Sequence, residues 1–254
     1  MLAYNYLMKQ VVNSTTYLMA DSIEPYDVNC TALPKYNVTY NAGMFIGGLV
    51  ELFKATGNDS YVNLAHKIAQ AIIDNNAPEG VLLEYCDWDE QCSNDDDGKL
   101  FKGIFVRNLR YLMDVCDSEK QVYYQKFLQT NIDSVLKNSQ CEDPVKTNCS
   151  VKFLDGPSGK PTQGPVFGTS WVGAYNFSNV ISQTEVLDLF IAAVDPSVEC
   201  KGDQPCGYQP EIPEIHQLTC KDKPCPEGHA CCAWDKIYAT CCMPYQVCEG
   251  GGCY

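Results

Sequence analysis

The chain has 254 residues and a formal net charge of −14, room for one large domain and a small appendage. Nucleic acid and anionic membrane surfaces are approached with Lys and Arg, and 18 of these against 32 Asp and Glu exclude both as partners. No apolar run reaches the roughly 18 residues that a membrane span needs, so neutral or cationic ligands remain.

Leu2, Leu7, Met8, Val11 and Val12 predict an amphipathic helix over 2–12; a secretion signal would need a charged start and an unbroken apolar core. A loop with Asp21, Pro25, Cys30 and Pro34 follows. Met44, Ile46, Leu49, Leu52 and Phe53 predict a buried helix over 40–54, which Thr56-Gly57 stops with a left-handed cap. Its opening turns carry Tyr40, Asn41 and the glycines Gly43, Gly47 and Gly48. Each glycine costs about 1 kcal/mol against alanine inside a helix, so the cluster means that another helix or a ligand approaches that backbone closely. Asn58, Asp59 and Ser60 offer a cap for a helix over 61–73, striped by Leu64, Ile68, Ala69 and Ile72, and the short link folds the two into an antiparallel hairpin.

A long loop, 75–100, holds Gly80 to Glu84, the acidic run Asn94 to Asp97, and Cys86 and Cys92, which bracket a small ring. Phe101 to Met113 reads as an apolar helix, and Ser118 with Gln121 as a capping box for a helix over 119–136. A second irregular stretch, 139–178, leads to a last helix over 181–194. Helices 40–54, 101–113 and 181–194, apolar and tolerant of glycine, form an inner row, and the capped, charged ones an outer row. The long loops gather at one end of this array, where a cleft forms.

Thr39-Tyr40-Asn41-Ala42-Gly43 leads to Ala55-Thr56-Gly57-Asn58; then come Gly80 to Glu84, the cysteine pair, and Phe101-Lys102-Gly103-Ile104-Phe105-Val106-Arg107. In order and spacing this resembles glycoside hydrolase family 76, the endo-acting α-1,6-mannanases, over roughly residues 1–195. The resemblance implies an all-α fold, a partial (α/α)6 toroid built from helix pairs with a sugar cleft at one end. It implies retaining hydrolysis or transfer at α-1,6-mannosidic bonds, α-mannan or a mannose-containing oligosaccharide as partner, and no cofactor. The family's adjacent Asp-Asp pair, nucleophile and acid/base, has no counterpart on these helices; it is expected upstream of Met1, the chain corresponding to the C-terminal half of the family domain. Asp95-Asp96-Asp97 is no substitute, because nothing in a polar loop raises one carboxyl into the acid role.

Carried over residue by residue, the resemblance makes Tyr40 and Asn41 substrate-binding, with Ala42 in place of the family's glutamine. Glu84 is the best-placed lone carboxylate, or else a salt-bridge partner of Lys102 or Arg107, which join it as candidates. Asp21 resembles the family's Asp-Gly position near the cleft. Trp171, after Phe167-Gly168-Thr169-Ser170, is a candidate platform under a sugar ring. His66, His216 and His229 show no ligand spacing, so no metal is expected.

Sixteen cysteines and six sequons, at Asn13, Asn29, Asn37, Asn58, Asn148 and Asn176, fit a secreted, glycosylated, disulfide-bonded protein whose signal lies upstream. Eight of the cysteines lie from Cys220 to Cys253 in the pattern C-x4-C-x5-CC-x8-CC-x5-C-x4-C, similar to the first part of a granulin module. The division expected is a helical domain over 1–196, a linker over 197–219 and a cysteine-rich module over 220–254 that binds cell-wall glycan or protein. Two functions compete: a mannan hydrolase lacking its catalytic pair, and a noncatalytic secreted glycan-binding or interaction protein.

Overall fold

The computed structural model describes residues 2–24, 26, 32–33, 37–88, 98–142 and 165–194, and 230–234, 238–242, 248–249 and 252–253 near the end of the chain. The chain divides into two compact units, Met1–Asp195 and Pro196–Tyr254. Asp95-Asp96-Asp97, Cys92, Asn29, Asn148 and the linker over 197–219 lie outside the described residues.

The first unit is helical: α1 (Leu2–Gln10), α2 (Thr39–Thr56), α3 (Asp59–Asn76), the single turn α4 (Tyr85–Trp88), α5 (Phe101–Met113), α6 (Ser118–Ser134) and α7 (Val180–Ala193). Two short antiparallel pairs, Ser22–Ile23 with Ala32–Leu33 and Gln140–Cys141 with Val166–Phe167, pin the connections. α2 packs broadly on α5 and α5 on α7, making the expected inner row; α3 packs behind α2, and α6 against α7 and α5. Ile46, Leu49, Ile68, Ile72, Phe105, Leu109, Leu112, Leu128 and Leu189, each fully buried, fill the space between the rows. α1 has no buried residue of its own and docks by Tyr4, stacked on Phe45 at 6.3 Å and edge-on to Tyr61 at 5.5 Å.

The caps decide where the helices begin and end. Gly57 takes φ 68° and its N–H donates to the Phe53 carbonyl at 2.7 Å, ending α2 as expected. Asn58 caps α3 by accepting from the Ser60 N–H at 3.0 Å. The start of α6 differs from expectation: Asp117, not Ser118, is the N-cap, accepting from the Lys120 N–H at 2.9 Å, while Gln121 donates to the Met113 carbonyl. A carboxylate one residue earlier meets the same orphan N–H and the helix dipole together. α7 opens on a capping box between Asn179 and Ser182, and the end of α6 widens into a π-turn over Val135–Ser139.

The glycines of α2 have two different causes. A Cβ on Gly43 would stand 2.7 Å from Phe105 Cα, and one on Gly47 would collide with the Asn108 side chain, so both exist for the α2–α5 approach. Gly48 faces open space beside a groove of about 460 Å³ lined by Leu7, Asp21, Asn41 and Met44. Gly43→Ala is therefore expected to cost about 2–3 kcal/mol by forcing two backbones apart. Gly48→Ala should be neutral or stabilise by up to about 1 kcal/mol. Urea midpoints of the two variants check this, and equal midpoints would contradict it.

Among the described residues, one face of α7 is exposed. Val180, Leu187, Ile191 and Val194 are 63%, 55%, 59% and 61% exposed, and with Thr184 they recur at steps of four, three, four and three residues. That is the spacing of a helix-packing seam, not of a solvent face. On α1, Leu2 is 89% exposed.

In the second unit, Ala230–Trp234 pairs antiparallel with Tyr238–Cys242, and Cys248–Glu249 with Gly252–Cys253. The registers set Cys231 opposite Cys241 and Cys248 opposite Cys253.

Candidate functional site

The start of α2 gathers two groups of polar residues, one open and one sealed. In the open group the Asp21 carboxylate accepts from Asn41 Nδ2 at 3.0 Å and from the Tyr40 hydroxyl at 3.4 Å. Asp21 is brought there by the Val12–Met19 bridge, which turns the chain after α1 back toward α2. Tyr40 and Asn41 are half-buried and Asp21 exposed, and the Tyr40 ring leans on Phe101 at 4.3 Å, so its orientation is fixed by α5. Ala42, where the family has glutamine, is fully buried in the core.

The sealed group lies below. Glu84 Oε2 accepts from the Thr39 N–H at 3.0 Å and from Thr39 Oγ1 at 2.6 Å, placing a carboxylate at the positive end of α2. Lys102 Nζ donates to Asp87 Oδ2 at 2.8 Å and to the Thr169 carbonyl at 3.2 Å, lies 3.5 Å from Glu185 Oε2, and sits over the Trp171 ring at 5.4 Å. Glu185 Oε1 accepts from the Lys102 backbone N–H at 3.1 Å and so serves the first turn of α5. Glu84, Lys102, Glu185 and Trp171 are all fully buried.

Three carboxyls around one ammonium leave surplus negative charge where water cannot screen it. Burial pushes Glu185 up to about 8, Lys102 pulls against this, and the charges of Asp87 and Glu84 add to it. Burial also raises Glu84, against the Thr39 bonds that favour its ionised form. Burial acts to lower Lys102, but Asp87 and Glu185 overcome it and raise its pKa. Within the cluster, burial and the neighbouring acids favour a protonated Glu185, and the same acids favour a charged Lys102.

These contacts correct several expectations. Glu84 answers Thr39 rather than Lys102 or Arg107, because α4 interposes Asp87 as the lysine's partner. Lys102 and Trp171 have no surface with which to meet a sugar; the tryptophan is a core residue beneath α5, its carbonyl held by Ser134 Oγ at 2.8 Å. Arg107 is exposed but points to Asp188 of α7, 3.9 Å away. Of the seven candidates the structure brings Asp21, Tyr40 and Asn41 together in the open group and Lys102 against Trp171 in the sealed one. Asp87 and Glu185 were missed: α4 is one turn long, and Glu185 sits 83 residues from Lys102 in an apolar helix.

Among the described sequons, Asn13 and Asn58 are exposed and Asn37 is half-buried. Asn176 is exposed, but its Nδ2, the atom a sugar would occupy, donates to Thr169 Oγ1 at 2.9 Å. Cys141 is disulfide-bonded and Cys116 is free. Among the described residues no group of acids, histidines and cysteines is arranged for a metal ion, and no helix is long and apolar enough to cross a membrane.

The family model for glycosyl hydrolase family 76 matches residues 3–199. A mannan endo-1,6-alpha-mannosidase of Candida glabrata is 26% identical over 179 residues, which are 69% of this chain and 35% of that protein. The fold is similar to that of an alpha-1,6-mannanase of a Salegentibacter species, solved as an inactive variant with two aspartates changed to asparagine and in complex with alpha-1,6-mannotriose. Its TM-score is 0.57 at 22% identity, covering 75% of this chain and 49% of that one. A protein of Listeria innocua gives a TM-score of 0.55 at 22% identity, covering 76% and 46%. The chain thus spans about a third of the curated relative it matches and about half of these solved structures.

Proposed function

The chain belongs to glycosyl hydrolase family 76, and from that membership we propose that it is part of a glycosidase of the mannan endo-1,6-α-mannosidase type, supplying one wall of the sugar cleft. The observation that carries this is the Asp21–Tyr40–Asn41 group: an oriented aromatic ring beside an amide and a carboxylate, open to solvent at the start of an inner helix. Such a set suits the hydroxyls and the apolar face of a pyranose.

Retaining hydrolysis needs two carboxyl groups about 5–5.5 Å apart with the glycosidic bond between them. Glu84 and Glu185 are sealed, and the open group has one carboxylate. On this reading the adjacent aspartates come from residues other than those of this chain, and the chain alone binds α-1,6-mannan oligosaccharide without cleaving it. The same observation favours the second reading, a noncatalytic secreted glycan-binding protein. Sixteen cysteines, six sequons and the Cys141 disulfide support an extracellular setting, where the cysteine-rich tail binds cell-wall glycan or protein.

Asn41→Ala removes one amide from the wall and is expected to weaken α-1,6-mannotriose binding about tenfold, the scale of one hydrogen bond. Isothermal titration checks this. An unchanged affinity in a folded variant would overturn the assignment.

A further inference from the structure

A second opening lies on the outer row, between α3, α6 and the turn after α1. It is an open recess of about 550 Å³, within the roughly 300–1,000 Å³ that small-ligand sites occupy. Tyr17, Tyr123 and Tyr124 present three phenol rings to it. Tyr124 is buried at the floor, stacked on His66 at 5.8 Å, with its hydroxyl 2.9 Å from His66 Nδ1. Tyr123 stands at the rim, its hydroxyl accepting from Gln70 Nε2 at 3.0 Å, and Gln70 also donates to Asp74 at 2.7 Å. On the opposite rim Lys67 Nζ donates to the Tyr17 hydroxyl at 3.2 Å and lies 5.0 Å from the Tyr17 ring centre. The rims are thus tied, ring by ring, to polar groups of α3.

Tyr17 has φ 59°, a left-handed conformation that a tyrosine adopts at a cost. The turn is otherwise well satisfied: Asn13 Oδ1 accepts from the N–H groups of Thr15 and Thr16 at 2.9 and 3.0 Å, and the Asn13 carbonyl from the Tyr17 N–H at 2.9 Å. A glycine would fill that backbone position better, and strain of this kind gathers where a side chain is needed for binding. Lys67 and Lys120 face Asp74 and Glu119 in the recess, and Lys120 is also paired with Asp117 at 2.6 Å. His66 adds no charge near neutrality, since burial lowers it to about 4.

We propose that this recess is a second saccharide-binding site, taking an uncharged oligosaccharide that stacks on Tyr17 and Tyr123 and hydrogen-bonds to Gln70, Asp74 and Lys67. Stacking rings with amide, carboxylate and ammonium groups match a polyhydroxylated ligand, and the pairing of Lys120 with Asp117 disfavours an anion. The identity of the sugar as mannose rests on the proposed function; its being a neutral saccharide rests on the recess alone. The Asn13 sequon lies in the same turn, so the chain's own glycan is a second source of that chemistry.

The test uses the full chain in an Asn41→Ala background, enzymatically deglycosylated, titrated with α-1,6-mannotetraose and with maltotetraose. Mannotetraose is expected to bind, and Tyr123→Ala to weaken it at least tenfold. Tyr17→Gly should weaken it similarly while holding or raising the melting temperature, because glycine accepts that φ without strain; a merely structural tyrosine would not separate the two readouts. Binding that appears in an Asn13→Gln variant and not in the undeglycosylated parent also supports the site and identifies the Asn13 glycan as its source of sugar. Binding of maltotetraose but not mannotetraose keeps the site and counts against the mannan reading. No saccharide bound in this background, or binding indifferent to both tyrosine variants, overturns the proposal.

Discussion

Lys102→Met is expected to destabilise the helical unit by about 3–5 kcal/mol at pH 7, enough to unfold a domain whose whole stability is of order 5–15 kcal/mol. The ammonium is the cation that Asp87, Glu185 and, at longer range, Glu84 share in a volume closed to water. Removing it leaves buried carboxylates without compensation, which costs far more than the lost contacts themselves. Three segments come apart together, since Lys102 ties α4 through Asp87, α7 through Glu185 and the bend before Trp171 through the Thr169 carbonyl. Chemical denaturation with circular dichroism checks this; a variant within 1 kcal/mol of the parent, of the order of an ordinary surface pair, would contradict it.

The same cluster sets a pH dependence. The folded-state pKa of Glu185 is raised to about 8 from 4.5, so between these values the unfolded chain holds fewer protons than the folded one and stability falls as pH rises. Glu84, also raised, acts in the same direction. His66 opposes them only in its own window: lowered to about 4 from 6.5, it makes stability rise with pH between those values. From pH 6.5 to 8, above the His66 window, the raised Glu185 makes stability decline with pH. Glu185→Gln should flatten that decline, and an equal slope in parent and variant would contradict the assignment.

The second large effect concerns association. The isolated chain is expected to self-associate, because Val180, Leu187 and Ile191 of α7 and Val194 at its end line one face at helix-packing spacing, interrupted only by Thr184. Four aliphatic side chains, each more than half exposed along one line, make a larger patch than the scattered residues a monomer tolerates. Leu187→Lys with Ile191→Lys places two charges in the middle of the seam and should give a monodisperse monomer at concentrations where the parent is dimeric or larger. Light scattering after size exclusion reads this directly. A parent chain that is monomeric and melts cooperatively would show that the seam needs no cover.

Local signals carried most of the helices. Gly57 and Asn58 end α2 and begin α3 where the αL stop and the side-chain cap were expected, and Phe101 to Met113 matches α5 residue for residue. The close approach implied by the glycines was also legible, though not which glycine served it: Gly43 and Gly47 face α5, while Gly48 faces a groove. The candidate site was legible where its residues are near neighbours of the motif, as with Tyr40 and Asn41. It was not legible where burial reverses a residue's meaning. A lysine, a glutamate and a tryptophan near a cleft read as sugar contacts, yet Lys102, Glu84 and Trp171 are sealed, because their partners Asp87, Thr39 and Glu185 come from other elements. The outer recess was invisible for the same reason: Tyr17, His66 and Tyr123 have no shared motif until α3 and α6 pack side by side.

The measurement that bears most directly on the account is exposure of the purified chain to α-1,6-linked mannan oligosaccharide, reading release of products and binding of the intact ligand in the same sample. Binding without turnover is the predicted result: a wall of the cleft that holds sugar through Tyr40, Asn41 and Asp21, with a single carboxylate in that open group. Turnover by this chain would place a working carboxylate pair within these residues and contradict the account, and absence of any binding would remove the sugar from the Asp21–Tyr40–Asn41 group.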